Sequence, residues 1–117
     1  MKDFGEFEAE ISISFFDKEL LRAAFTHRSY LNEHRTAMEI TEHNERLEFL
    51  GDAVLELLVT EFLYKKYPHK DEGALTSYRA GLVNAVTLSG VATVLNMNDY
   101  MLLAKGERKD TGRAREM

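Results

Sequence analysis

From His43 to Tyr67 the chain carries its longest apolar-periodic run, and the run stops at Pro68, the only proline. Proline lacks the amide donor that a helix interior needs, so a helix must end there. Projected at about 100° per residue, Leu47, Leu50, Val54, Leu57 and Leu58 fall on one side. Glu45, Glu48, Asp52 and Glu56 fall on the other, at spacings of three, four and four. The pattern predicts one helix from Asn44 to Tyr67, about 35 Å long. A helix of that length constrains the fold to a small all-α domain, with its apolar side buried as the spine.

The four acids share one narrow wedge, and none has a Lys or Arg three or four residues away. Like charges at that spacing cost a helix a few tenths of a kcal/mol per pair. A solvated polar face is one reading of the wedge. A hard-cation site is the other, because Mg²⁺ and Mn²⁺ prefer oxygen ligands and keep several waters. Two residues favour the second reading. Phe49 falls at the edge of the acidic wedge, where a large aromatic needs a cover, and a partner subunit supplies one. Gly51 sits mid-helix at a cost of about 1 kcal/mol relative to Ala, which suggests that another backbone or a ligand comes close.

A length of 117 residues is enough for one domain with a real core. Hydrophobic residues at 44% and charged residues at 30% fit a globular chain and exclude a disordered one. The absence of cysteine excludes disulfides and thiolate metal sites. The N-terminal MKDFGEFEAE has acids where a signal peptide needs an apolar core, and no apolar run approaches the ~20 residues of a membrane span. A soluble, cytoplasmic protein is expected. The net charge of −5 argues against nucleic-acid binding if read as a sum. Its distribution argues otherwise, because Lys65, Lys66 and Lys70 gather in one place and Lys105, Arg108, Lys109, Arg113 and Arg115 in another.

Residues 4–16 mix helical and alternating signals. Asp17 is a plausible N-cap for a helix carrying Leu20, Leu21, Ala24 and Phe25. Thr26 to Tyr30 reads as a turn whose side chains satisfy the backbone. Within it Arg28 suits either a phosphate or an ion pair with an acid. Asn32 to Glu42 reads as a polar loop, and Thr41 or Asn44 can cap the central helix. Glu72 opens the next helix, where the dipole favours a carboxylate. Two apolar stripes follow, meeting at Asn84-Ala85, and Tyr100 to Ala104 is a short apolar piece that can dock on the core.

HNERLEFLGDAVL, from His43 to Leu55, closely resembles the signature of the ribonuclease III family of double-stranded-RNA endonucleases. LLRAAFTHRSY before it, FLYKKYPHKDEGALTSYRAGLVN after it and LLAKGERKDTGRARE near the end match in order, so the resemblance covers nearly the whole of residues 1–117. It implies a helical bundle with a short helix and an extended turn near the N-terminus. It also implies cleavage of double-stranded RNA by divalent-metal-assisted phosphodiester hydrolysis, in rRNA and mRNA processing, by a homodimer using Mg²⁺ or Mn²⁺.

Matched residue by residue, the resemblance makes Glu48 a metal ligand and Asp52 the catalytic acid-site residue that also ligates the metal or orients a water. Glu45 supports the charge arrangement or contacts RNA, and Glu72 belongs to the cleavage valley. Arg28, Lys105, Arg108 and Arg113 are candidates for RNA contact, and Phe49 for a pocket on the second subunit. Family members continue past this point into a helix bearing an Asp and a Glu three residues apart, whereas this sequence reaches Met117 before such a pair. The expectation is therefore a C-terminally incomplete nuclease domain without a double-stranded-RNA-binding domain. Apolar surface near Val54 and Leu57 should then be exposed. The alternative is a catalytically incomplete dimerisation or RNA-binding module derived from such a nuclease.

Overall fold

The computed structural model describes residues 3–33 and 43–108. It contains helices α1 (Phe4–Ile11), α2 (Lys18–Ala24), α3 (Arg28–Glu33), α4 (Glu45–Lys66), α5 (Glu72–Leu82) and α6 (Ala85–Val94). A 3₁₀ turn (Met97–Tyr100) and a short helix α7 (Lys105–Arg108) follow. Among the described residues there is no strand, only an isolated parallel bridge between Thr26 and Leu102. The all-α expectation holds.

Local chemistry accounts for most boundaries. The Asp3, Asp17, Asp71 and Asn84 side chains each accept an amide N–H at the start of α1, α2, α5 and α6. Asn84 works in both directions, because its Nδ2 also donates to the Ala80 carbonyl at 2.9 Å. The junction at Asn84-Ala85 is thus a break between two helices. Ser12 takes the left-handed conformation at φ 58° and ends α1, and its N–H returns to the Ala9 carbonyl.

Two sequence expectations change. The stretch from Arg28 to Glu33 is helical, so Asn32 and Glu33 do not belong to a loop. The remainder of that expected loop, with Thr41, lies outside the described residues. The second change concerns the core. The buried cluster is Phe7, Leu21, Phe25, Tyr100, Met101 and Leu103, drawn from α1, α2 and the stretch around the 3₁₀ turn. The Tyr100 ring meets Phe7 at 5.1 Å and Phe25 at 6.2 Å between centroids. Tyr100 to Leu103 therefore dock as expected.

Helix α4 is not a buried spine. Leu63 is its only buried residue, while Leu50, Val54, Leu57 and Leu58 are all exposed. The side of α4 turned to the rest of the described chain instead carries Leu47, Leu55, Val59 and Leu63, beside the acids, and the rest of the predicted stripe is left open. Leu57 is 66% exposed, as the sequence led one to expect for that neighbourhood.

Candidate active site

The site is positioned by the junction of α2, α3 and α4. Thr26 is fully buried, and its hydroxyl donates to the Arg22 carbonyl at 2.7 Å. On either side the backbone is tied to the core segment: the Leu102 N–H donates to Phe25 O at 2.8 Å, and the His27 N–H donates to Leu102 O at 2.9 Å. Asn44 then hangs α4 on the same turn. Its backbone N–H donates to Thr26 O at 2.9 Å and its Nδ2 to Ala24 O at 3.3 Å. Asn44 stands at the cap position of α4, yet its side chain makes no capping bond. The sequence placed it correctly and missed its role, because its side-chain partner, the Ala24 carbonyl, is twenty residues away.

Turn residues close the other side. The His27 Nδ1 lies 2.7 Å from the Ser29 hydroxyl, and Ser29 Oγ accepts the Ala104 N–H at 3.0 Å. The Lys105 N–H donates to Glu33 Oε2 at 3.0 Å. His27 and Ser29 therefore satisfy backbone and neighbouring groups, as the turn reading anticipated.

From this junction α4 presents its acids. Glu48 and Asp52 line one wall of a groove of about 850 Å³ between α4 and α6, with Leu88 and Ala92 opposite. Gly51 and Phe49 line the same groove, and Phe49 is 84% exposed. An adjoining cavity of about 320 Å³ holds His27, Arg28, Asn32, Glu45 and Glu48. Glu45 and Glu48 thus line both.

The four acids do not share one environment. Glu45 is ion-paired with Arg28 from α3, and His43 Nε2 stands 4.0 Å from its other oxygen. Among the described residues no Lys or Arg pairs with Glu48 or Asp52. Arg28 makes the ion pair with an acid that one of its two sequence readings offered. Gly51 also becomes clearer, because a Cβ added there would meet nothing within 4 Å. Any close approach at Gly51 must come from outside the described chain.

The other candidates lie elsewhere. Glu72 is exposed in the first turn of α5 and lines neither cavity. Asp71, just before it, is the residue that caps the helix, through a 2.9 Å bond from the Ala74 N–H. Lys105 opens α7 and Arg108 closes it, while Arg113 lies outside the described residues.

Chemically, Glu48 and Asp52 offer two oxygen-donor carboxylates one turn apart on an open face. That donor set fits a hard divalent cation, which commonly takes one or two carboxylates and fills its shell with water and substrate phosphate. No group of three or more possible ligands is assembled among the described residues.

Known proteins resemble this chain in sequence and fold. Residues 17–117 match a family profile described as Ribonuclease-III-like. Ribonuclease 3 of Streptococcus pneumoniae strain P1031 is 55% identical over 105 residues, covering 90% of this chain and 44% of that protein. The enzyme from strain CGSP14 is 54% identical over the same shares. The chain thus spans less than half the length of these curated relatives. Two solved structures of the nuclease domain of ribonuclease III from Campylobacter jejuni superpose with TM-scores of 0.81 and 0.80 at 37% and 38% identity. They match over 97% and 98% of this chain and 73% of theirs, and the first is described for flexibility in a region involved in dimer formation.

Proposed function

Because this chain belongs to the ribonuclease III family, we propose that it is the nuclease domain of an endoribonuclease that cleaves double-stranded RNA. The observation that carries this reading is the pair Glu48 and Asp52. They are the carboxylates of the wedge that line the groove without a described basic partner. A surface that only needed solvation has no use for uncompensated like charges one turn apart, which weaken the helix.

Glu48 and Asp52 hold a divalent cation, Mg²⁺ or Mn²⁺, and Asp52 also orients the attacking water. When bound, the cation supplies activation of that water and stabilisation of the leaving 3′-oxygen. Water adds to phosphorus, the bond to the 3′-oxygen breaks, and the proton passes to the departing oxygen. The duplex is recognised by its A-form shape and 2′-hydroxyls, with little reading of sequence. Lys105, Arg108 and Arg113 meet backbone phosphates. Two copies assemble symmetrically through Phe49, setting one groove against each strand. Structured rRNA and mRNA precursors in the cytoplasm suit such a domain.

Mg²⁺-dependent cleavage of a long RNA duplex by the protein, lost in Glu48→Gln and in Asp52→Asn, tests this reading. Cleavage unaffected by either change overturns it. No cleavage by the unaltered protein favours a non-catalytic dimerisation or RNA-binding module.

A further inference from the structure

The Arg28–Glu45 ion pair bridges α3 to the first turn of α4, and its energetics are poorly suited to a structural role. Both side chains are open to solvent, 62% and 49% exposed. Pairs of that kind contribute little to stability. Yet both ends are anchored with unusual care. Arg28 lies between His27, whose N–H is fixed to Leu102 O, and Ser29, whose hydroxyl is fixed to the Ala104 N–H. Glu45 follows Asn44, which is fixed to Thr26 O and Ala24 O. The two partners therefore leave one rigid junction and meet beside Glu48, in the cavity that all three line.

We infer that Arg28 is a positioning residue that holds Glu45 back from the cation. By neutralising the first acid of the wedge, which lines the same groove, it leaves Glu48 and Asp52 as the two unpaired carboxylates there. This limits the negative charge at the site and leaves coordination positions open for water and phosphate oxygens. The inference rests on the metal-binding reading above. It differs from a phosphate-contacting role for Arg28, because it acts on cation affinity when no RNA is present.

The test is Mn²⁺ binding to the protein without RNA, followed by electron paramagnetic resonance of the free ion. Arg28→Ala adds one net negative charge beside the site and frees Glu45, so binding should tighten by about threefold or more. Glu45→Gln leaves Arg28 unopposed and should weaken it. The double variant Arg28→Ala/Glu45→Gln should return to within about twofold of the parent, because the two charges leave together. Arg28→Lys keeps the charge and should stay near the parent. Arg46→Ala, removing an exposed charge elsewhere on α4, controls for the overall charge of the protein and should change little.

Equal affinities in Arg28→Ala and Arg46→Ala would overturn the inference. So would unchanged Mn²⁺ affinity in Arg28→Ala together with a raised KM for duplex RNA. The underlying site assignment fails separately, if Glu48→Gln and Asp52→Asn bind Mn²⁺ as the parent does.

Discussion

The backbone N–H of Asn44 donates to the carbonyl oxygen of Thr26 at 2.9 Å, and this bond sets where the acidic helix begins. Thr26 is itself clamped between the end of α2 and Leu102, so α4 inherits its starting point from the core. The Asn44 side chain adds the bond to Ala24 O while only 7% exposed. Asn44→Ala should therefore cost about 1 kcal/mol through the lost buried bond. Urea unfolding measures this. RNA cleavage should fall further than the loss of folded protein explains, because the acids move with the helix start.

Tyr100 provides a readout of the core at alkaline pH. Burial, and then the nearby Glu10 carboxylate, push its pKa from the ordinary 10.0 up to about 12. A group whose folded pKa is raised stabilises the fold fully below the unfolded value. That stabilisation is lost as pH rises through the folded one. The protein should thus lose stability between pH 10.0 and about 12. Near-ultraviolet absorbance of phenolate should show one tyrosine titrating after the others, and Tyr100→Phe should remove that late component.

Glu8 sets the opposite limit. Its carboxylate accepts from Lys18 Nζ at 2.6 Å and from the Phe15 N–H at 2.7 Å, tying α1 to the start of α2. The Lys18 bond, followed by the Phe15 bond, holds its pKa below the ordinary carboxylate value. Here the stabilisation is present above the unfolded pKa and disappears as pH falls through the lowered one. Glu8→Gln should flatten the acid limb of thermal stability measured against pH, and leave the neutral-to-alkaline limb unchanged in shape.

Helices α2, α4 and α5 and the acid wedge were legible in the sequence because their rules are local, whereas α3 reads there as turn and loop. Asp17 caps within three residues, Pro68 stops a helix by itself, and spacings of three and four place Glu45, Glu48 and Asp52 on one face whatever surrounds them. The core was not legible. Periodicity marks an apolar side of α4, but says nothing of which side the rest of the chain lies against, and most of the predicted stripe is open. The identity of Arg28's partner, Glu45, and the Asn44 anchor escaped for the same reason. Both join groups distant in sequence, through a turn whose geometry depends on Leu102.

Gly51 separates folding from assembly. A Cβ there meets nothing within 4 Å, and the position is mid-helix. Gly51→Ala should stabilise the isolated domain by about 1 kcal/mol, through the helix propensity of alanine. The same methyl would project into the groove beside Asp52. If a second backbone or the substrate approaches there, cleavage should fall while the melting temperature rises. Rising stability with unimpaired cleavage would show that nothing comes near Gly51.

Phe49 carries the most direct test of the assembly. Its ring is 84% exposed on the rim of the groove, next in sequence to Glu48 and three residues from Asp52. Within one protomer the ring contributes little, so Phe49→Ala should change monomer stability by less than about 0.5 kcal/mol. At a symmetric interface the same ring becomes a buried aromatic anchor, and its truncation should cost about 2 kcal/mol or more of association free energy. Sedimentation equilibrium distinguishes the two situations. A weakened dimer with an unchanged unfolding midpoint of the monomer places Phe49 at the interface. Because each groove would then be completed by the partner, RNA cleavage should fall with dissociation and recover at higher protein concentration. A dimer of undiminished affinity would show that the ring is covered by something other than a second copy.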